Sequence, residues 1–486
     1  MPRRVAVKLA IPIPFARLSG CCLGAVALLA GCAAPLPVEL DRSVPAHWRQ
    51  QTTAAGRQPA PDLRNWWQAW DDAQLNALVE EALSQNLDVA QAQLRLRQQR
   101  LLAGTADSPY LPAVTAGART LQDISATDSY FHASIDVSWD LGLFGASQAA
   151  QRSANAGLLD AQAQLHAARV ALVADVVHRY LDIRLAQRQR ALYAQMGTLD
   201  ADALRLLQVR RTQRLGSSQA VQEQQLQSGR TAGQLAEVVA AQARAAHGLA
   251  ALLGRTSPDA AWLAADAGAA LPALPSQALR AVPADMLRTR PDIQSAEAAV
   301  ERAAAEAGIA HSALYPRLTL TGSILFSYNL TQNYRTTSDY MPLFGPQIDI
   351  PLFDWGRRRA QADSGDLGLQ AAIKGYRQSV LNGIADVESS LAAMAAQQER
   401  QRQLEQTGSV LQQRARAQSV RQKLGLDSPL SALAEQRALL QTQSDMATAQ
   451  AAQSLAYVSL YKALGGAPLD PLLHAANDAA PQEPRP

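Results

Sequence analysis

Residues 131–145 read FHASIDVSWDLGLFG. Phe131, Ala133, Ile135, Val137, Trp139 and Leu141 alternate with His132, Ser134, Asp136, Ser138 and Asp140, a period of two that predicts a β-strand with one apolar and one acidic face. A second segment of this kind, GPQIDIPLFDWG at 345–356, belongs to a strand with Phe344, Ile348, Ile350 and Leu352 on one side and Gln347 and Asp349 on the other. Each segment leads into a long stretch without proline. The chain therefore reads as two copies of a unit in which strands feed long helices.

Working outward, residues 72–105 have apolar positions spaced by three and four, which predicts an amphipathic helix interrupted at Gln85-Asn86 and stopped by Pro109 and Pro112. Residues 114–120 alternate weakly as a first strand, and 122–129 turn it into the second. Residues 146–214 hold no strong breaker, so a helix about 100 Å long is expected there at 1.5 Å per residue. After an interruption at 215–218 a shorter helix runs to Leu253-Gly254.

The order then repeats, with a helix at 291–312 opened by Pro291 and Asp292 and a strand at 318–328. A polar loop at 331–340 leads to the fourth strand, followed by helices at 357–423 and 431–464 broken at Gly425-Pro429. LAALLG at 249–254 and YKALG at 461–465 close the two halves. The expected organisation is a first repeat at 65–255, a connector at 256–283, a second repeat at 284–466 and a tail at 467–486. A Pro-, Ala- and Gln-rich tether fills 32–64.

Among the 486 residues only 5% are aromatic, which suits long helices packed through small side chains such as Ala149, Ala150, Ala154 and Ala156. The formal charge is +3, and Arg3, Arg4, Lys8 and Arg17 precede the first acid, Glu39. Removing residues 1–31 leaves 3 − 4 = −1, which gives no reason to expect nucleic acid as a partner. Residues 1–31 read as an export signal: basic residues, an apolar core at 18–30, then small residues. Leu29-Ala30-Gly31-Cys32 resembles a bacterial lipobox, which implies cleavage before Cys32 and a covalent lipid on its sulfur. Leu18-Ser19-Gly20-Cys21 fits the same pattern behind a poorer apolar core. Cys21, Cys22 and Cys32 are the only cysteines, so no disulfide is expected after cleavage. Ala33 stands where an inner-membrane retention signal of such lipoproteins has Asp, which favours the outer membrane.

No stretch beyond the signal is apolar for the roughly 20 residues a membrane helix needs, so any crossing must use strands. Four strands cannot close a transmembrane barrel, and open edges in lipid cost several kcal/mol per unpaired backbone group. Other copies of the chain must complete the sheet. Tyr130, Phe131, Trp139, Phe144, Phe353 and Trp355 lie near strand ends, as interfacial girdles do, although the core of a soluble sandwich would use them equally well. On the opposite face Asp136, Asp140 and Asp349 are the candidates for a wet, mildly acidic lumen. The seven histidines have no metal-ligand spacing, and no phosphate loop, nucleophile elbow or zinc-protease helix is present, so neither an enzyme nor a cofactor is expected. Arg357-Arg358-Arg359 would serve equally as a basic collar or as a solvated helix start.

WWQAWDDAQLNALVEEALSQN (66–86), VSWDLGLFG (137–145), MLRTRPDIQSAEAAV (286–300), IDIPLFDWGRRRAQA (348–362), YRQSVLNGIADVESSL (376–391) and LYKALGG (460–466) resemble, in order, the signatures of the TolC-like outer membrane efflux factors, in particular the lipoprotein branch of the OprM and NodT type. The resemblance implies an α+β membrane protein. Its fold would be a homotrimeric twelve-stranded β-barrel in the outer membrane, four strands per chain with an internal two-fold repeat, continued by a long periplasmic α-helical barrel. It implies a passive exit duct for drugs or other small toxic compounds, supplied by an inner membrane pump of the RND type through a periplasmic adaptor. A duct for type I protein secretion and a structural envelope lipoprotein are the alternatives.

By the same resemblance, two helical tips close the periplasmic end and meet the adaptor, with Gly216 and Gly425 as their turn residues. RQKLGLDSPLSALAEQR at 421–437 carries the constricting leucine at Leu430. Ala434 replaces the family's aperture aspartate, with Glu435 beside it as the candidate acid. The first tip, at 211–225, is expected to be about two residues shorter than the second. Asp140 and Gly142 stand where the family more often has Glu and Asp.

Overall fold

The structure, a computed structural model, describes residues 40, 48, 63–122, 129–266, 271–272, 274, 284–331, 334–335 and 341–468. Cys32, the lipobox, and most of the expected tether and tail lie outside the described residues. The chain divides into two compact units, one including Leu101–Gly157 and Ala299–Ile373 and the other Asp41–Arg100, Leu158–Ala298 and Lys374–Pro486. Each unit takes segments from both sequence repeats.

The first unit holds an antiparallel sheet of β1 (Ala113–Gln122), β2 (Ser129–Asp140), β3 (Arg317–Asn329), β4 (Tyr334–Arg335) and β5 (Met341–Asp349). β2 pairs with β1 from Ala113↔Ser138 to Gln122↔Ser129, and with β3 from Tyr130↔Asn329 to Asp140↔Thr319. β5 pairs with β3 from Arg317↔Asp349 to Leu325↔Met341, and β4 adds two further pairs to β3. β1 and β5 are thus edge strands among the described residues. That position accommodates Pro342 and Pro346 in β5, because an edge strand has one side free of ladder bonds.

Two strand expectations are corrected. The alternation at 131–145 ends as a strand at Asp140, because Asp140 Oδ1 accepts the Gly142 N–H at 3.0 Å. Gly142, Phe144 and Gly145 then take φ values of 56°, 57° and 84°. Phe144 leaves the strand pattern and stacks on Tyr315 at 4.8 Å. The fourth strand begins at Met341, directly after the expected polar loop, but ends at Asp349. Ile350 and Leu352 therefore lie beyond it, on either side of Pro351, which has no N–H for a ladder.

The helices follow as α1 (Ala73–Gln85), α2 (Leu87–Ala103), α3 (Ala146–Thr212), α4 (Ser218–Leu252), α5 (Ala260–Leu263), α6 (Pro291–Ser312), α7 (Arg357–Lys423) and α8 (Pro429–Ala463). α3 and α7 are both 67 residues, about 100 Å, and α4 and α8 are both 35. No described helix is long and apolar enough to cross a membrane. Ser217 and Ser428 cap α4 and α8 by accepting the N–H groups of Ala220 and Leu430, and Pro429 fills the first turn of α8.

In the second unit the break foreseen at Gln85-Asn86 is real. Asn86 Oδ1 accepts the N–H groups of Asp88 and Val89, and its Nδ2 donates to Leu252 O at 3.0 Å. The Asp72 side chain caps α1 and accepts the Tyr180 hydroxyl at 2.5 Å. Trp66, Trp70, Tyr457 and Tyr461 form one aromatic cluster, in which Trp66 Nε1 donates to Gly466 O at 3.1 Å. Leu75, Val79, Leu165, Tyr180 and Leu181 are buried core residues of the same unit.

The half-closing motifs read from the sequence coincide structurally. Gly254 and Gly465 both take left-handed φ, 69° and 74°. A Cβ on Gly465 would stand 2.8 Å from Thr289 O, a backbone atom that cannot swing away. Gly465→Ala is therefore expected to destabilise the protein by about 1–3 kcal/mol, from a strained backbone added to the clash. A lowered midpoint of heat unfolding followed by circular dichroism checks this.

Candidate functional site

Paired residues of neighbouring strands share a face, so the ladder fixes the two faces of the sheet. Asp136, Asp140 and Asp349 all fall on one face. Asp136 accepts the hydroxyls of Ser134 at 2.8 Å and Ser323 at 2.6 Å. Asp140 is ion-paired with Arg317, Nε to Oδ2 at 2.7 Å, and Arg317 lies opposite Asp349 in the ladder. Asp140, Asp349, Arg317 and Arg358 line a cavity of about 360 Å³ with Tyr110 and Tyr315. This part of the face thus mixes both signs of charge. The opposite face carries Phe131, Ile135, Val137, Trp139, Ile324, Phe344 and Ile348, and of these Phe344 and Ile348 are exposed on β5.

At the start of α7, Asp354 Oδ2 accepts the Arg358 N–H at 3.1 Å, and Arg359 lies 3.7 Å from Asp363. The arginine run begins a capped helix.

The two tips are not of unequal length. Their loops, 213–217 and 424–428, superpose bond for bond. Leu215 N–H donates to Arg210 O at 2.8 Å as Leu426 N–H does to Arg421 O at 2.9 Å, and Arg214 and Gly425 both take left-handed φ, 60° and 74°. The left-handed residue of the first tip is therefore Arg214, and Gly216 is not one. An arginine in this conformation costs about 1–2 kcal/mol, which the loop hydrogen bonds offset. Both tips present an exposed leucine, Leu215 and Leu426.

In the second tip Leu430 and Glu435 are half-buried and Ala434 is exposed. Asp427 meets Arg421 Nε at 3.1 Å and the Ser431 hydroxyl at 3.1 Å. Desolvation raises its pKa, but the donors from Ser431 and Arg421 outweigh this and hold the carboxyl below its ordinary value. Because the folded value is depressed, the contact stabilises the tip above the ordinary carboxylate pKa of about 3.9 and is lost as pH falls through the depressed value. Protease cleavage at 424–428 is expected to stay constant from pH 7 to 5 and to rise only in stronger acid.

Further along the helices lies a network that sequence reasoning missed. Asp200 of α3 is 1% exposed. It accepts the Thr231 hydroxyl of α4 at 2.6 Å and Arg437 Nε of α8 at 3.0 Å. Gln224 adds longer contacts to its backbone and side chain. The one available signal was Arg437, the last residue of the tip motif, whose partners lie more than two hundred positions earlier.

Residues 78–255 and 282–466 match the outer membrane efflux protein family. The chain belongs to the outer membrane efflux protein family. It is 30% identical over 474 residues to the pyoverdine export outer membrane protein OpmQ of Pseudomonas aeruginosa, covering 91% of this chain and 96% of that protein. Nodulation protein T of Rhizobium leguminosarum bv. trifolii is 30% identical over 413 residues, 82% of this chain and 87% of that protein. Among solved structures, the outer-membrane channel OprN superposes with a TM-score of 0.75 at 26% identity, covering 90% of this chain and all of that one. The open-state MtrE channel of Neisseria gonorrhoeae has a TM-score of 0.73 over 89% of this chain and 97% of that one, at 23% identity, a likeness of fold. This efflux protein has the TolC-like fold, with the sheet and paired long helices expected of it, and is an outer membrane efflux channel component.

Proposed function

We propose that this efflux protein is the passive exit duct of a tripartite system, assembled as a homotrimer whose twelve long strands form one barrel. A periplasmic adaptor joins it to an inner membrane pump of the RND type. The observation that carries this reading is the two-faced sheet whose edges, β1 and β5, pair on one side only. Such edges in lipid require partners, and closure between copies supplies them. The polar face with Asp136, Asp140 and Asp349 then becomes the lumen and the apolar face meets lipid. Cys32 carries the anchoring lipid, and the tips at 213–217 and 424–428 dock the adaptor.

OpmQ is named for pyoverdine export and a further relative, CusC of Escherichia coli, for cation efflux. Cargoes that unlike leave no common chemistry for a binding site in the duct, so selection belongs to the pump. The chain's own part is to conduct and to open. Accumulation of a panel of toxic small molecules in a deletion strain tests the function. Rescue by the intact protein supports it, and unchanged accumulation of every compound contradicts it.

At the second tip Leu430 narrows the aperture. Leu430→Ala is expected to raise the resting single-channel conductance about two-fold or more, because three leucine side chains leave the opening together, each removing roughly three methylene-sized groups. Conductance equal to wild type in planar bilayers would count against that role.

A further inference from the structure

The contact of Asp200 with Thr231 and Arg437 holds α3, α4 and α8 side by side at one level. From that level α3 runs on into the loop 213–217, and α4 and α8 arrive at it from the loops 213–217 and 424–428. Both tips therefore project beyond the contact on the same side.

This end of the helices is basic. α3 and α7 begin 357 − 146 = 211 residues apart, and at that spacing residues 200–226 correspond to residues 411–437. Together the two stretches hold nine Arg or Lys and five Asp or Glu, a net 9 − 5 = +4, whereas the rest of the chain after residue 31 sums to −1 − 4 = −5. Three of the five acids are already matched inside the tips, Asp200 by Arg437, Asp202 by Arg205 and Asp427 by Arg421. Arg210, Arg211, Arg214, Arg414 and Arg416 are exposed, and none of them forms an ion pair among the described residues.

Helix ends do not account for these charges. The helix dipole favours cations in the last turn, which explains Arg210 and Arg211 of α3. Arg414 and Arg416 stand two turns or more before the end of α7, and Arg214 lies in the loop itself. Arg214 moreover holds a strained left-handed φ of 60°, a conformation that its counterpart Gly425 adopts freely. Backbone strain kept at an exposed loop, by a side chain with no partner in its own chain, points to a contact made with another molecule.

We propose that the two tips dock a protein whose facing surface is acidic, with Asp and Glu at its rim opposite Arg210, Arg211, Arg214, Arg414 and Arg416. This rests on the exit-duct reading above and specifies the chemistry of the adaptor's contact surface. An acidic rim neutralises the uncompensated arginines and steers encounter through long-range attraction. An anionic phospholipid surface offers the same charge, but a bilayer laid across the tips would close the entrance that cargo uses. A ring of protein leaves it open.

The test places the photo-cross-linker p-benzoylphenylalanine at Gln213 and, separately, at Gln422, exposed positions beside the arginines, in the full-length protein in living cells, and sequences the peptide it attaches to. A peptide of a periplasmic protein with more Asp and Glu than Lys and Arg supports the proposal. A neutral or basic peptide overturns it and leaves the duct standing, and a phospholipid adduct overturns it in favour of the membrane surface. No adduct at either position, from a trimer that conducts, overturns it as well; the duct reading falls only if accumulation in the deletion strain is also unchanged.

Arg214→Gly separates charge from folding. Glycine relieves the left-handed strain, so the tip is expected to resist protease at least as well as wild type. The cross-link from Gln213 is nevertheless expected to fall about 1.4- to 5-fold, the worth of one exposed ion pair. Arg210→Glu, Arg414→Glu and Arg416→Glu combined are expected to lower it further while the trimer keeps its mass. Wild-type cross-linking in both variants counts against docking by charge.

Discussion

Arg437→Ala is expected to loosen α8 from α3 and α4 and to raise both the resting conductance and the protease sensitivity of the second tip. Asp200 is almost wholly buried, and removal of the guanidinium leaves its carboxylate facing α8 without a cation. Deleting one partner of a buried ion pair costs about 3–5 kcal/mol, more than the net value of the pair, because the remaining charge stays desolvated. Thr231 and Gln224 still donate to Asp200, which sets the expectation at the lower end of that range. The protein relieves this by admitting water, which parts the helices. Arg437→Lys keeps the charge and loses the fork that reaches Asp200 and Thr231 together, so partial recovery is expected. The control is Asp200→Asn with Arg437→Ala, which removes both charges and is expected to be milder than Arg437→Ala alone. Wild-type conductance and cleavage rate in Arg437→Ala would show that the network does not hold the tip.

The second large effect concerns the sheet. Ile135→Arg is expected to abolish assembly in the outer membrane. Ile135 lies mid-strand on the apolar face, is half exposed in the single chain, and pairs with Ala116 and Ile324. A cation on the lipid side of a barrel strand near the midplane costs about 2–4 kcal/mol, and three copies carry it at once. Asp136→Asn, on the neighbouring residue but the other face, removes a charge that two serine hydroxyls satisfy, and the amide oxygen can still accept from one of them. Assembly is therefore expected to survive. Heat-modifiable trimer in outer membrane fractions separates the two. The reverse result, with Ile135→Arg tolerated and Asp136→Asn lethal, would turn the sheet inside out.

Much of this fold was legible in the chain because its punctuation is strong. Pro109, Pro112, Pro291 and Pro316 bracket helices and strands, and period two is unbroken from Phe131 to Asp140. The same rule overran its evidence at Leu141, where the alternation continued into a turn. It overran again on the fourth strand, where Ile350 and Leu352 keep the alternation although the strand ends at Asp349 and Pro351 has no N–H for a ladder. The tips show a different limit. Gly425 announces a left-handed turn, whereas Arg214 holds the same conformation with no local signal, and the nearby Gly216 does not mark it. Asp200 was invisible for a third reason: its partners Thr231 and Arg437 come from two other helices, and no spacing along the chain brings them together. Cys32 lies outside the described residues, and the polar face of the sheet gains its meaning as a lumen only from assembly.

In the proposed homotrimer one chain supplies a third of a shared pore. The most direct measurement is the conductance of the purified protein in planar bilayers, taken together with its mass in detergent. Discrete conductance steps are expected from a species of three chains and none from dissociated monomer. Folded trimer that conducts nothing, even with Arg437 and Leu430 both replaced by alanine, would contradict it.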